Sequence, residues 1–275
     1  MTTSTVAETY ARDGFVFPID LISDAEARNL RADLESAEAD LAEQPQELAM
    51  LRGSTAHLLP SFAELIRHPR LVEAASEILG PDLLAWGGQC FIKEPQTPNH
   101  ITWHQDLTYW GLDDQQEVTA WVALSPATQQ SGCMRFVAGS HKRPIVEHVD
   151  TFAEDNMLSR GQEIAVEVDE SEATDVVLRP GQVSLHHGHL FHASNPNQSD
   201  DRRIGFAIRL IDTSMAMPGG EGLAVLSVSG EDRYSHFQLA TPPSGRLQEV
   251  DFERVRRNGA ISRSILMRGV ESNLT

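Results

Sequence analysis

At residue 83 the hydrophobic period of this chain changes from helical to extended, and that change limits its fold more than any other feature. LLAWGGQCFIK, ITWHQD, VTAWVAL, CMRFVAGS, IAVEVD, TDVVLRPG, VSLHHGHLFHAS and RRIGFAIRLID are short runs rich in β-branched and aromatic residues, broken at turn signals such as Ser131-Gly132, Pro180-Gly181 and Asn195-Pro196. Runs of this length bounded by turn residues read as strands. Eight of them, closely spaced, predict a jelly-roll or barrel built from two facing sheets.

The first eighty residues read as helices. Ser23 and Glu26 form a capping box, after which Leu30, Leu34, Ala37 and Leu41 recur at helical spacing. A second helix is predicted to start at His68-Pro69, to carry Leu71, Ala75 and Ile78 on one side, and to stop at Gly80-Pro81. The expected class is therefore mainly β with flanking α-helices. With 275 residues and no internal repeat or linker, one domain is expected. It comprises a mainly helical part over 1–82, a β core over 83–215 and an extension over 216–275. The basic stretch DFERVRRNGAISRSILMRG in that extension reads equally as a docking helix or an oligomer contact.

One long connection interrupts the strands. Between Glu147 and Asp175 ten acidic residues face a single base, Arg160. An insertion of this length in a compact β domain is a candidate lid, with a solvated acidic surface as the plainer reading. Across the chain 22 Lys+Arg against 40 Asp+Glu leave a net charge of −18, which repels nucleic acid and anionic membranes and leaves a small molecule as the expected partner. Cys90 and Cys133 are too few for a disulfide framework and lack C-x-x-C spacing. Buried thiols, no basic and apolar leader and no apolar run of about 18 residues point to the cytoplasm.

The chemistry lies in two segments. In WHQDLTYW, residues 103–110, an extended chain would turn His104 and Asp106 to one face and Gln105 to the other. In LHHGHLFHASNPNQSDDRR, residues 185–203, a single strand would put His186 and His192 on one face and His187 and His189 on the other. Parity leaves both pairs open. Two imidazoles and one carboxylate on one side of a metal leave positions open for a cosubstrate and dioxygen, as non-haem Fe(II) oxygenases require. A zinc hydrolase would more often show three strong ligands and an H-E-x-x-H base, which is absent.

The combination of ARDGFVFP, WHQD, SGCMRFVAGSHK and HASNPNQSDDRR resembles the phytanoyl-CoA dioxygenase family of Fe(II)/2-oxoglutarate oxygenases, over most of the chain. The resemblance implies a double-stranded β-helix of the cupin-like jelly-roll kind, with His104 and Asp106 as the first iron ligands. The third is the histidine of H-x-S-x-x-N, which falls on His192 with Ser194 and Asn197; His186 stays as the alternative. Eleven residues beyond His192, Arg203 is implied to grip the far carboxylate of 2-oxoglutarate, assisted by Ser194, while Arg202 faces away. Gln89 and Trp121 match positions that line the cosubstrate site, although a strand tryptophan is often simply core. Tyr109 and Trp110 are candidate walls of the substrate pocket.

Because Asp106 is present, where halogenating relatives carry a small residue, the expected reaction is hydroxylation of an unactivated C–H bond with release of succinate and CO2. The acidic insertion is a poor match for a CoA thioester, so a small neutral or cationic metabolite is expected. A cupin-like metal- or ligand-binding protein without turnover is the alternative. Zinc-dependent hydrolysis is disfavoured because His187 and His189, its local bases, would point away.

Overall fold

A computed structural model describes residues 4–266 apart from 114, 152, 154 and 159–161; the side chains of Tyr109, Gln162 and Leu266 also lie outside the described set. The chain begins with α1 (Val6–Asp13), β1 (Phe15–Asp20), α2 (Asp24–Asp40), α3 (Pro45–Gly53), α4 (Thr55–Leu58), α5 (Pro60–Leu65) and α6 (Pro69–Leu79). It continues through β2 (Leu83–Lys93), β3 (Ile101–His104), α7 (Leu107–Trp110), β4 (Glu117–Ala123), β5 (Met134–Val137), β6 (His148–Asp150), β7 (Gln162–Ile164) and β8 (Ala173–Val176). The last elements are β9 (Gln182–His186), β10 (His192–Ser194), β11 (Arg203–Asp212), β12 (Ala224–Ser229), β13 (Gln238–Ala240) and α8 (Glu249–Leu266).

Local signals account for the helix starts. Ser23 N–H donates to Glu26 Oε2 at 2.8 Å and Glu26 N–H to Ser23 Oγ at 3.2 Å, the reciprocal pair that satisfies orphan donors at the start of α2. Leu34 and Ala37 of its inner stripe are fully buried. In α6 proline opens the first turn and Gly80 ends it, with Leu71 and Ala75 buried. The mainly helical reading of residues 1–82 nevertheless missed β1, whose FVFPID is too short and too mixed to show a clear period.

By its internal contacts the chain divides into two compact units. The first comprises Met1–Ala32, Cys90–Asp106 and Val118–Ala207. Within it β1, β9, β4 and β11 lie in that order in one sheet, and β3, β10, β5 and β8 form a second. Both are antiparallel where registered: Thr119 stands opposite His186, His192 opposite both His104 and Phe136, and Met134 opposite Val176. One apolar cluster draws on both sheets, with Phe15 of β1, Trp121 of β4, Phe136 of β5 and Val176 of β8, so the sheets face each other as in a jelly-roll. Such a layer removes apolar side chains from water at about 25 cal/mol per Å². Where the chain turns from Ile22 past Gly181, glycine is required: φ is +86° and a Cβ would lie 2.3 Å from the Ile22 carbonyl oxygen.

Two strand expectations need correction. VSLHHGHLFHAS is not one strand but β9 and β10, separated by a turn in which Leu190 N–H donates to His187 O at 2.9 Å. Gly188 and the His187 turn interrupt the pleat, so parity cannot be carried from His186 to His192. IAVEVD is strand only at its start, in β7, which pairs with β6.

The second unit comprises Asp33–Gln89, Leu107–Glu117 and Ile208–Thr275. Here β12 pairs antiparallel with β2 and parallel with β13, so the 216–275 extension contributes strands that the sequence did not reveal. The described part of its basic stretch lies in α8, which docks on the unit: Phe252 and Val255 are buried, and Asn258 bonds both backbone groups of Ala224, at 3.0 and 2.7 Å. Among the described residues no helix is long and apolar enough to cross a membrane.

Candidate metal centre

His104 is the last residue of β3, and Asp106 sits in the turn that follows. The alternation argument for their common face therefore does not apply; the turn, rather than a pleat, brings the carboxylate round. Asp106 Oδ1 lies 3.3 Å from His104 Nε2 and 3.9 Å from His192 Nε2. His104 and His192 are cross-strand partners of β3 and β10, with ring centroids 3.9 Å apart. The three candidate ligand atoms lie within 4.8 Å of one another, and among the described residues this is the one group of three or more that meets that condition.

The imidazole tautomers follow from their backbone partners. His104 Nδ1 lies 2.9 Å from Thr102 O and His192 Nδ1 lies 2.9 Å from Leu190 O. A carbonyl only accepts, so each Nδ1 carries the proton and each Nε2 presents its lone pair toward Asp106. Both histidines are buried. His186 ends β9 against the Phe136 ring, at 5.0 Å, and stands outside the group of three. His187 faces Tyr10, His141 and His189, and is held neutral down to about 3 by burial, then by His189 and His141.

The same unit holds a buried cationic pair. Arg203, 1 % exposed, opens β11, and its guanidinium stands 5.2 Å from the Trp121 ring centroid. Gly205 permits that arrangement, since a Cβ there would fall 1.7 Å from Trp121 Cζ2. Arg203 Nε and Nη2 are buried without a hydrogen-bond partner among the described residues. Burial pushes the guanidinium down to about 10. Two unsatisfied donors on a buried cation are costly unless an anion completes them. Arg202, just before β11, makes a bidentate pair with Glu94 at 2.9 Å for each bond.

The second cation, Lys93, was not foreseen. It is fully buried and donates to Ser194 Oγ at 2.6 Å, Ser194 O at 3.2 Å and Asn195 O at 2.5 Å. Burial, then repulsion from Arg203, pushes its ammonium down to about 6. Because the Ser194 hydroxyl accepts from Lys93, its own hydrogen is left to donate elsewhere. The signal in the sequence was a lysine closing the apolar run LLAWGGQCFIK, with the parity of Gln89. Asn197 holds the local turn, donating to Lys93 O at 3.1 Å and Asp201 O at 2.8 Å.

The remaining candidates belong to the second unit. Gln89 Oε1 accepts from Arg209 Nη1 at 2.9 Å, Arg209 stands 4.7 Å from the Trp110 ring, and Trp110 stacks on Trp86 at 5.3 Å. The Tyr109 side chain lies outside the described residues.

Two ligand-poised imidazoles, a carboxylate and an unpartnered buried guanidinium narrow the comparison with known proteins. Residues 10–205 match the family model described as phytanoyl-CoA dioxygenase. The chain belongs to that family. It is 30% identical over 151 residues to an ectoine dioxygenase of Bordetella parapertussis, covering 50% of this chain and 49% of the relative. It is 29% identical over 150 residues to an L-proline trans-4-hydroxylase of Streptomyces griseoviridis, covering 50% and 55%. The chain thus spans about half the length of the curated relatives it matches. Among solved structures it is similar to the apo form of the non-haem monooxygenase ThoJ, with a TM-score of 0.87 and 31% identity over 97% of this chain and 99% of that one.

Proposed function

We propose that this chain is a non-haem Fe(II)/2-oxoglutarate-dependent dioxygenase that hydroxylates an unactivated C–H bond of a small-molecule metabolite. Arg203 carries the reading. A metal clip alone has no use for a buried guanidinium with two open donors beside a lysine and a free hydroxyl hydrogen, whereas a dicarboxylate cosubstrate needs that constellation.

In this reading His104, Asp106 and His192 hold Fe(II). Arg203 grips the far carboxylate of 2-oxoglutarate and Ser194 donates its hydroxyl to it, with Lys93 fixing the Ser194 oxygen. Trp121 braces the guanidinium and excludes water from it, which strengthens the ion pair. Bound together, iron, 2-oxoglutarate and dioxygen supply the oxidation that yields succinate, CO2 and the hydroxylated product. Asp106 keeps a position that a halide would need, which supports hydroxylation. Gln89, Trp110 and Tyr109 are proposed to shape cosubstrate and substrate binding. The net charge of −18 favours a neutral or cationic substrate over a CoA thioester.

The test is anaerobic. Fe(II) and then 2-oxoglutarate are added to metal-free protein, the visible charge-transfer band of the chelate is recorded, and succinate is assayed once oxygen is admitted. A band that His104→Ala abolishes, with succinate stimulated by candidate metabolites, is the expected result. Iron uptake with neither band nor succinate would instead favour a binding protein without turnover. Efficient turnover of a CoA thioester, with free metabolites inert, would refute the substrate class.

A further inference from the structure

Gln105 stands between two candidate ligands and touches neither role in the chemistry, yet it is fully buried. Its Nε2 donates to His189 O at 2.9 Å and to Pro144 O at 3.5 Å, while its Oε1 accepts from Val146 N–H at 2.9 Å. Its backbone N–H donates to His148 Nε2 at 3.1 Å. That bond needs an unprotonated Nε2, and His148 Nδ1, 2.8 Å from Val146 O, supplies the matching tautomer. One amide therefore joins three segments: the His104–Asp106 turn, the loop that delivers His192 and the start of the acidic insertion. The insertion meets the same strand again where Asn156 Nδ2 donates to Thr102 Oγ1 at 2.8 Å, and Thr102 O is the acceptor that fixes His104.

We infer that Gln105 and His148 are positioning residues for the metal, and that the turn leading into the insertion is part of the metal scaffold. The inference rests on the metal centre proposed above. The physical reason is leverage. Gln105 shares its backbone with both ligands of the turn, so a shift of its side chain turns the peptide planes that carry His104 and Asp106. A fully satisfied buried amide specifies one such orientation. Coupling is reciprocal, so occupancy of the metal must in turn protect the bonds that Gln105 makes to the 144–148 segment.

The experiment titrates Mn(II) into the metal-free full chain by calorimetry and electron paramagnetic resonance, for wild type, Gln105→Met and His148→Phe. Gln182→Met is the control. Gln182 is also a buried amide, bonded to Asp20 at 2.8 Å and to the Arg179 N–H at 2.9 Å, but on β9 and outside the cluster. Lost outer-shell partners typically cost roughly 10- to 100-fold in metal affinity, and that loss is expected in Gln105→Met and His148→Phe while Gln182→Met binds as wild type. In wild type alone, Mn(II) is expected to slow hydrogen exchange at the Gln105 and Val146 amides, which keeps the inference testable if a variant fails to fold. Wild-type affinity in both site variants, or exchange indifferent to Mn(II), would overturn it. A wild type that takes up no Mn(II) would refute the metal centre itself.

Discussion

Arg203→Met should separate stability from function in a single substitution. In the protein without cosubstrate, the guanidinium is 1 % exposed, and burial lowers its pKa from 12.5 to about 10. That drop corresponds to roughly 3 kcal/mol against the charged form. Methionine has similar length, leaves no charge and strands no donor, so this penalty disappears. Against it stands the loss of the contact with Trp121, worth about 1–2 kcal/mol. The balance favours the variant by roughly 1–2 kcal/mol, which raises Tm by about 4 °C for a chain of this size. The assay is differential scanning calorimetry with chelator and without 2-oxoglutarate. Binding should move the other way: truncating one partner of a buried charge pair costs about 2 kcal/mol or more, at least roughly 30-fold in Kd for 2-oxoglutarate. A variant whose Tm falls by several degrees would show that Arg203 is a structural cation with partners of its own. Wild-type affinity for 2-oxoglutarate would refute the anchor.

Three further outcomes are expected. His192→Ala should lose at least roughly 100-fold in Fe(II) affinity and His186→Ala stay near wild type, read by anaerobic titration; the reverse would move the third ligand to His186. His57 is buried and its pKa is lowered to about 4 by burial, then by Arg254. Its folded pKa lies below its unfolded value of 6.5, so the unfolded chain binds the proton first and stability falls as pH drops from 6.5 toward 4. At pH 5 the loss is roughly 2 kcal/mol in urea titrations, and His57→Leu should flatten that slope. Gly205→Ala forces a Cβ into the Trp121 ring, and should cost about 1–3 kcal/mol while weakening 2-oxoglutarate binding, seen as a lower midpoint and a fainter charge-transfer band; an unchanged band would mean that the indole does not brace Arg203.

Much of the fold was legible because its signals are local. Ser23 and Glu26 announced α2, His68-Pro69 and Gly80 bounded α6, and β-rich runs between turn residues marked most strands. The candidate cluster was legible for a different reason: two imidazoles and a carboxylate are scarce chemistry, and the family motifs singled them out. The geometrical argument that accompanied them was not sound. Asp106 lies in a turn and His186 and His192 lie on different strands, because pleat parity holds only while the strand continues.

What the sequence determined by itself is therefore what neighbours along the chain can impose: where periods change, where helices are capped, and which residue types are available to bind a metal. Only the tertiary structure decided which of them meet. His104 and His192 become partners through cross-strand pairing, Lys93 reaches Ser194 from another strand, and Gln105 finds its partners in two separate loops. No local pattern encodes such contacts, since each depends on closing long loops whose entropy is repaid by the core packed between the sheets.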